Sequence, residues 1–312
     1  MMAQTQPASP VTDRSSVSAT PRQSRDGFLP IGEIVDRYVI QRVTGAGGMG
    51  VVYTARDPHL ERDVAIKVVK VADSEDVPAA QARLLREARA LARLSHPNLA
   101  TVYDIGMHGD DLFIALELVD GPNLRDWMAS ASPGRRETLE ALCAAGRGLA
   151  ASHAEGIVHR DIKPENIVVG CGGRVRLTDF GLAARRDRDD DLVAAGSGTL
   201  AYMSPEQLWG RPAGPASDQF SFAVMAYEAL FGVQPFGGRT LEQRRRAVQD
   251  GPPRRRDAIA VALHRALRVE PRARYPSIDA LLAALEGGAP RHRRHATDRP
   301  SSPRFPRGSA RG

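Results

Sequence analysis

Cysteine is nearly absent from this chain, with two residues in 312, Cys143 and Cys171. They form neither a metal-ligand spacing nor a disulfide framework, which excludes a small cystine-stapled scaffold and fits a reducing, cytoplasmic setting. Long apolar runs are missing too. The longest stretch free of Asp, Glu, Lys and Arg is Leu192–Pro205, and it is rich in Gly and Ser. A membrane-spanning helix needs about 20 mostly apolar residues, so no span is expected. The N-terminus has no apolar core of the kind a secretory signal carries, and no internal repeat is visible. A basic folded surface is also lacking, despite a net charge of +6. Residues 289–312 hold seven Arg against one Asp, so this tail carries the whole excess. No nucleic-acid partner is therefore expected for the globular part, which would need the charge on a folded face.

What is present is ordinary soluble composition, 42% hydrophobic and 26% charged, at a length that suggests about two packed units. Residues 1–27 are rich in Ser, Thr, Pro and Gln and poor in large apolar side chains, and they read as disordered. Residues 287–312 read the same way, with added positive charge. From Tyr38 to Val119, β-branched and aromatic runs predict strands at Tyr38–Val43, Val51–Ala55, Val64–Val71, Thr101–Met107 and Leu112–Leu118. One helix interrupts them, over Ala80–Leu94, with Leu84, Leu85, Ala88, Leu91 and Ala92 at helical spacing. Helices then dominate, the clearest being Leu139–Glu155, Ser217–Gly232, Arg256–Leu267 and Ile278–Glu286. A small sheet-rich lobe followed by a larger helical lobe is the expected α+β architecture.

Three patterns carry chemistry. The run Gly45-Ala-Gly47-Gly-Met-Gly50-Val-Val52 lies between two strands. Glycine lets backbone amides approach phosphate oxygens closely, but the same run also suits a loose hairpin. A dinucleotide fold would need a helix after the glycines, which this context denies. In Val64-Ala-Ile-Lys67 a lysine stands on an apolar strand. It either faces water or is buried with a charge partner, and Glu87 on the following helix is available. Glu87 could equally be a solvated residue beside Arg83 at i−4. The third pattern is decisive: His159-Arg-Asp-Ile-Lys-Pro-Glu-Asn166 followed by Thr178-Asp-Phe-Gly181. Its specified residues, at about one in twenty each, do not recur by chance.

With these motifs the sequence resembles the eukaryotic-like (Hanks-type) protein kinases, in particular the bacterial serine/threonine kinases. The resemblance covers Tyr38–Glu286 and includes Ser204-Pro-Glu206, Ser217-Asp-Gln-Phe220, Gln234-Pro-Phe236 and Glu270-Pro-Arg-Ala-Arg274-Tyr. It implies a bilobal fold, with a small antiparallel sheet and one helix in the N-lobe (38–119) and a mainly helical C-lobe (120–286). It also implies transfer of the γ-phosphoryl group of ATP to Ser or Thr hydroxyls of proteins, including autophosphorylation, in signal transduction. By the same resemblance Asp161 orients the acceptor hydroxyl, and Lys163 neutralises the γ-phosphoryl charge. Asn166 and Asp179 hold Mg2+, with Mn2+ as the alternative metal. Lys67 binds the α- and β-phosphates and pairs with Glu87. Gly45, Gly47 and Gly50 cover the phosphates. Val52 and Ala65 lie above adenine and Val168 below it. Backbone groups of Glu117 and Val119 bond its edge, and Leu116 controls the back pocket.

Other prominent residues receive plainer readings. His159 is structural, stacked with Phe180 and Leu91, because the family uses the aspartate as base. Arg274 pairs with Glu206, and Asp218 holds the catalytic-loop backbone. His96 is a turn residue and Cys143 is core. Arg244–Arg246 and Arg254–Arg256 are solvated faces. Thr44 replaces the aliphatic residue usual before the first glycine. Between Gly181 and Gly196 there is no Ser, Thr or Tyr, although relatives carry a phosphorylated threonine there that would bind Arg160. Asp189, Asp190 and Asp191 occupy that stretch, and the expectation is that Asp191 pairs with Arg160 unless Ser197 supplies the anion. Lys163 and Thr199 imply Ser/Thr over Tyr. A pseudokinase scaffold would have lost one of Lys67, Asp161, Asn166 and Asp179. A small-molecule phosphotransferase would lack the segment Gly198–Glu206. Dimerisation through the kinase domain is left open.

Overall fold

The computed structural model describes residues 28–47, 50–70, 77–180 and 200–288. Of the expected disordered ends, residues 1–27 and 289–312 lie outside the described residues, as do the acidic stretch 189–191, Ser197 and Thr199, whereas Gly287 and Gly288 are helical and end the last helix. The first lobe is a six-stranded antiparallel sheet in the order β1-β2-β3-β4-β6-β5. Its strands are β1 (Ile34–Val35), β2 (Tyr38–Gly47), β3 (Gly50–Asp57), β4 (Arg62–Val69), β5 (Val102–His108) and β6 (Asp111–Glu117). The described fold thus begins before Tyr38, because β1 pairs Ile34 with Val39 and Val35 with Tyr38. Helix α1 (Val77–Leu91) packs on the β5–β6 side through Leu84 and Ala88, which share a core with Val69, Leu112 and Ile114. It stops a turn short of the predicted Leu94, where the chain turns ahead of His96-Pro97.

The second lobe holds α2 (Leu124–Ala131), α3 (Arg135–Ala154), the hairpin β7 (Ile167–Gly170) and β8 (Arg174–Leu177), α4 (Pro205–Leu208), α5 (Pro215–Phe231), α6 (Leu241–Asp250), α7 (Ala258–Ala266) and α8 (Ile278–Gly288). Helix α5 is buried throughout Ser217–Tyr227 and forms the centre of this lobe. Asp257 caps α7 by accepting from the amides of Ile259 and Ala260. Among the described residues no helix is long and apolar enough to cross a membrane.

The loop after α1 is fastened to the second lobe. Ala100 donates to the Leu177 carbonyl at 3.0 Å, Leu177 to that of Asn98 at 2.9 Å, and Asn98 Nδ2 to that of Val175 at 3.0 Å. Gly148 of α3 lets this loop come close, since a Cβ there would stand 2.5 Å from the Asn98 carbonyl oxygen. The strand-to-helix junction is pinned as well, with Arg176 Nε 3.2 and 3.3 Å from the Glu117 carboxylate. The two lobes therefore meet along β6, β8 and this loop, and the cleft between them carries the motif residues.

Candidate active site

The sheet presents one face to the cleft. Val52 lies opposite Lys67, Ala65 lies two residues before Lys67, and Leu116 lies opposite Ala65, so these four side chains share that face. Val52 and Ala65 are half-buried, as is Val168 of β7, whose neighbours Ile167 and Val169 are buried. Gly45 and Gly47 lie in β2 and Gly50 in β3, and the glycine run closes as a hairpin with Gly47 opposite Gly50. Gly50 has φ +128, and a side chain there would collide with the Val68 carbonyl. Its glycine is therefore required locally by the approach of β3 to β4. The Glu117 amide donates to the Thr101 carbonyl at 2.8 Å, and Val119 lies on the stretch joining β6 to α2.

Opposite this face stands the loop His159–Asn166. Asp218, 1% exposed, accepts from the amide of His159 through one oxygen and from that of Arg160 through the other, both at 2.7 Å. It also meets His153 Nε2 at 2.8 Å. These bonds hold Arg160 at φ +68, a left-handed conformation that needs outside support in a residue bearing a side chain. Asn166 Nδ2 donates to the Asp161 carbonyl at 2.7 Å and to its carboxylate at 3.1 Å. Lys163 Nζ lies 2.8 Å from Asp161 Oδ2. Burial raises the Asp161 pKa, but the Lys163 ammonium and these hydrogen bonds outweigh it and hold the carboxyl below its ordinary value. His159 is fully buried; it bonds the Thr178 carbonyl at 2.9 Å, and its ring lies 4.5 Å from that of Phe180. Burial pushes its pKa down, which suits a neutral structural imidazole.

One expected pairing is corrected. Lys67, 5% exposed, makes its ion pair with Asp179 Oδ1 at 3.2 Å, and Glu87 makes its own with Arg160 at 3.8 Å. An apolar pocket lined by Leu91, Ile114, Leu116 and Phe180 reaches as far as Lys67 and Asp179, between α1 and the lobe below. Each of the two cations thus meets one carboxylate, Lys67 that of Asp179 and Arg160 that of Glu87. The expected Asp191–Arg160 pair lies outside the described residues; within them the anion on Arg160 is Glu87.

The plainer readings divide. Arg274 grips Glu206 with two bonds of 2.9 Å, and Cys143 is buried, its thiol pushed up to about 11 by burial. Arg254–Arg256 are exposed. Arg244 is not a solvated face: it is 1% exposed and donates to the carbonyls of Phe236 and Ala201. The signal was available, because Leu241, Arg244 and Val248 fall on one helical stripe. Sequence reasoning also missed a surface cluster of Arg125, Glu165, Tyr202 and Glu228. These residues come from four separate segments, so no local spacing announces them.

Residues 38–276 match the family model described as protein kinase domain. Serine/threonine-protein kinase PknA of Mycobacterium tuberculosis is 38% identical over 273 residues, covering 81% of this chain and 62% of that protein. Serine/threonine-protein kinase PknB of Mycolicibacterium smegmatis is 37% identical over 275 residues, covering 82% of this chain and 44% of that protein. The chain thus spans less than two thirds of the length of these relatives. Among solved structures, the kinase domain of Mycobacterium tuberculosis PknI is 27% identical, with a TM-score of 0.65 over 84% of this chain and all of that one.

Proposed function

This chain belongs to the protein kinase domain family, and from that premise we propose that it transfers the γ-phosphoryl group of ATP to Ser and Thr hydroxyls of proteins. The observation that carries the reading is Asp161. Its carboxylate is ionised, held by Asn166 and Lys163, and sits on a loop fixed from below by Asp218. Asp161 accepts the hydrogen bond of the acceptor hydroxyl and aims its oxygen at the phosphorus. Phosphoryl transfer has a loose transition state, so positioning and charge neutralisation supply most of the catalysis. Lys163 neutralises charge on the transferring group, and Lys67 holds the α- and β-phosphates. Gly45, Gly47 and Gly50 cover the phosphates, while Val52, Ala65 and Val168 enclose adenine and backbone groups of Glu117 and Val119 bond its edge. The kinase unit spans residues 38–286, with β1 (Ile34–Val35) pairing onto its first strand.

Members of this family use a divalent cation with ATP, and the residues here fit one. Asn166 uses its Nδ2 toward Asp161, which leaves its amide oxygen for a metal, and Asp179 adds a carboxylate. Among the described residues no group of three or more His, Cys, Asp or Glu could hold a metal alone. Two oxygen donors completed by phosphates and water suit Mg2+, with Mn2+ as a substitute. The metal neutralises phosphate charge when bound. The test offers labelled ATP and Mg2+ with matched peptides bearing Ser, Thr or Tyr. Label on the Ser and Thr peptides supports the reading, and label on the Tyr peptide alone contradicts it.

A further inference from the structure

Helix α6 grips the segment Ala201–Leu208 at both ends. Arg244 donates from Nη2 to the Ala201 carbonyl and from Nη1 to the Phe236 carbonyl, the latter at 2.7 Å. The next residue, Arg245, donates from Nε to the Leu208 carbonyl at 2.7 Å. Successive side chains leave a helix about 100° apart, so the two arginines reach different ends of the same segment. Between those ends the segment is fastened to the loop that carries Asp161. Gln207 Oε1 accepts from the amide and the hydroxyl of Ser204 at 3.1 and 3.0 Å, and Gln207 Nε2 donates to the Arg160 carbonyl at 2.8 Å. A short line of bonds therefore runs from Arg244 through Ala201, Ser204 and Gln207 to the residue next to Asp161.

Arg244 is a costly residue for this place. It is almost fully buried, its Nε has no hydrogen-bond partner, and among the described residues no carboxylate forms an ion pair with it. Its neighbours on the same helical stripe are Leu241 and Val248, and its guanidinium lies 5.4 Å from the centre of the Phe236 ring, which stacks on Phe220 of α5 at 5.7 Å. An apolar side chain would suit these surroundings, since a buried cation without a counter-charge opposes folding. What only the guanidinium supplies is a rigid fork of donors that holds two carbonyls from separate segments at a fixed spacing. A local rule broken without a gain in stability points to a functional use of the residue.

We propose that Arg244 is a positioning residue for the protein substrate: by holding the Ala201 carbonyl it sets the place of the segment Ala201–Gln207 beside Asp161. The inference rests on the kinase reading and adds to it the residue through which α6 governs acceptor binding. A polypeptide that brings a hydroxyl to Asp161 lies against the segment fastened to Asp161's own loop. With Arg244 in place that segment is ordered before the polypeptide arrives. Without it, binding has to order the segment, and the entropy lost is subtracted from affinity for the acceptor. The nucleotide is unaffected, because Val52, Ala65, Lys67 and Val168 stand on β3, β4 and β7, away from α6.

The test uses the full chain, a Ser peptide and ATP with Mg2+, and measures kcat, the KM of each substrate and Tm for wild type, Arg244→Met and Arg244→Lys. Arg244→Met is expected to raise the peptide KM about tenfold, the scale of one lost bond to a charged donor. Its kcat and its KM for ATP should stay within about twofold of wild type, and its Tm close to wild type. Arg244→Lys keeps the charge but loses the fork, and should raise the peptide KM about threefold. An Arg244→Met variant with the wild-type peptide KM overturns the proposal. So does a parallel rise in both KM values, which marks a general structural role. If Arg244→Met does not fold, Arg244→Lys decides, and an unchanged peptide KM in that variant overturns the proposal. Failure of the wild type to label the peptide would instead remove the kinase reading and this proposal with it, and is told apart by the missing turnover.

Discussion

Two buried arginines in the second lobe should respond very differently to the same substitution. Arg274 has all its donors engaged. Nε reaches the Arg268 carbonyl at 2.8 Å, Nη1 reaches Glu206 Oε1 at 2.9 Å and the Ala216 carbonyl at 2.6 Å, and Nη2 reaches Glu206 Oε2 at 2.9 Å and the Val269 carbonyl at 2.8 Å. Arg274→Met would leave the Glu206 carboxylate, 12% exposed, without its counter-charge. Removing one partner of a buried pair costs about 3–5 kcal/mol. For a domain of this size, about 2–4 °C per kcal/mol turns that into a fall of roughly 10 °C in Tm. Arg244 differs. Among the described residues it has no carboxylate partner, its Nε has no hydrogen-bond partner, and burial lowers its pKa to about 10. Arg244→Met frees the carbonyls of Phe236 and Ala201, at about 1–3 kcal/mol each. It also relieves a buried unpaired cation, worth several kcal/mol, so the net change should lie within about 1 kcal/mol. Thermal melts and urea titrations of both variants read this directly. Arg274→Met/Glu206→Gln should recover part of the loss. Equal losses in the two single variants would refute the premise that pairing, rather than burial, sets the value of these side chains.

Two further outcomes follow from the site. Lys67→Met should lower kcat/KM for ATP about 100-fold, the scale of misplaced reacting groups, while its Tm stays close to wild type. The pH dependence follows from His159, whose folded pKa lies below its ordinary 6.5 because it is buried. The unfolded chain binds this proton more readily, so stability falls as pH drops below 6.5. Melts from pH 8 to 5 should show a declining Tm below that point, and His159→Phe should flatten part of the slope; a slope unchanged in the variant would rule out His159 as its source.

Much of the fold is legible in the sequence because the strands and long helices announce their period. Strands β3 to β6 and helices α1, α3, α5, α7 and α8 lie within a few residues of their predicted spans. Helix α6 escaped because Arg244 interrupts its apolar stripe and its arginines look solvated. Helix α2 is only one short amphipathic segment started by an Asn123 cap, and the hairpin β7–β8 has four residues in each strand. In the site, the stacking of His159 with Phe180 and the hold of Asp218 on the catalytic loop were legible through the family resemblance. So was Arg274 to Glu206, which the family resemblance supplied. The partner of Glu87 was not, because it depends on where α1 rests against the lobe below. The Arg125–Glu165–Tyr202–Glu228 cluster was not either, since its members become neighbours only after the lobe has folded.

The central claim is that Asp161 orients the acceptor while nucleotide is held elsewhere, and Asp161→Asn tests it most directly. Single-turnover transfer from ATP to a Ser peptide and nucleotide affinity should be measured on the same preparation. The account predicts a loss of transfer of about 1000-fold, within the range of general-base and positioning contributions, with ATP affinity changed less than about threefold. Transfer by Asp161→Asn at the wild-type rate would contradict it.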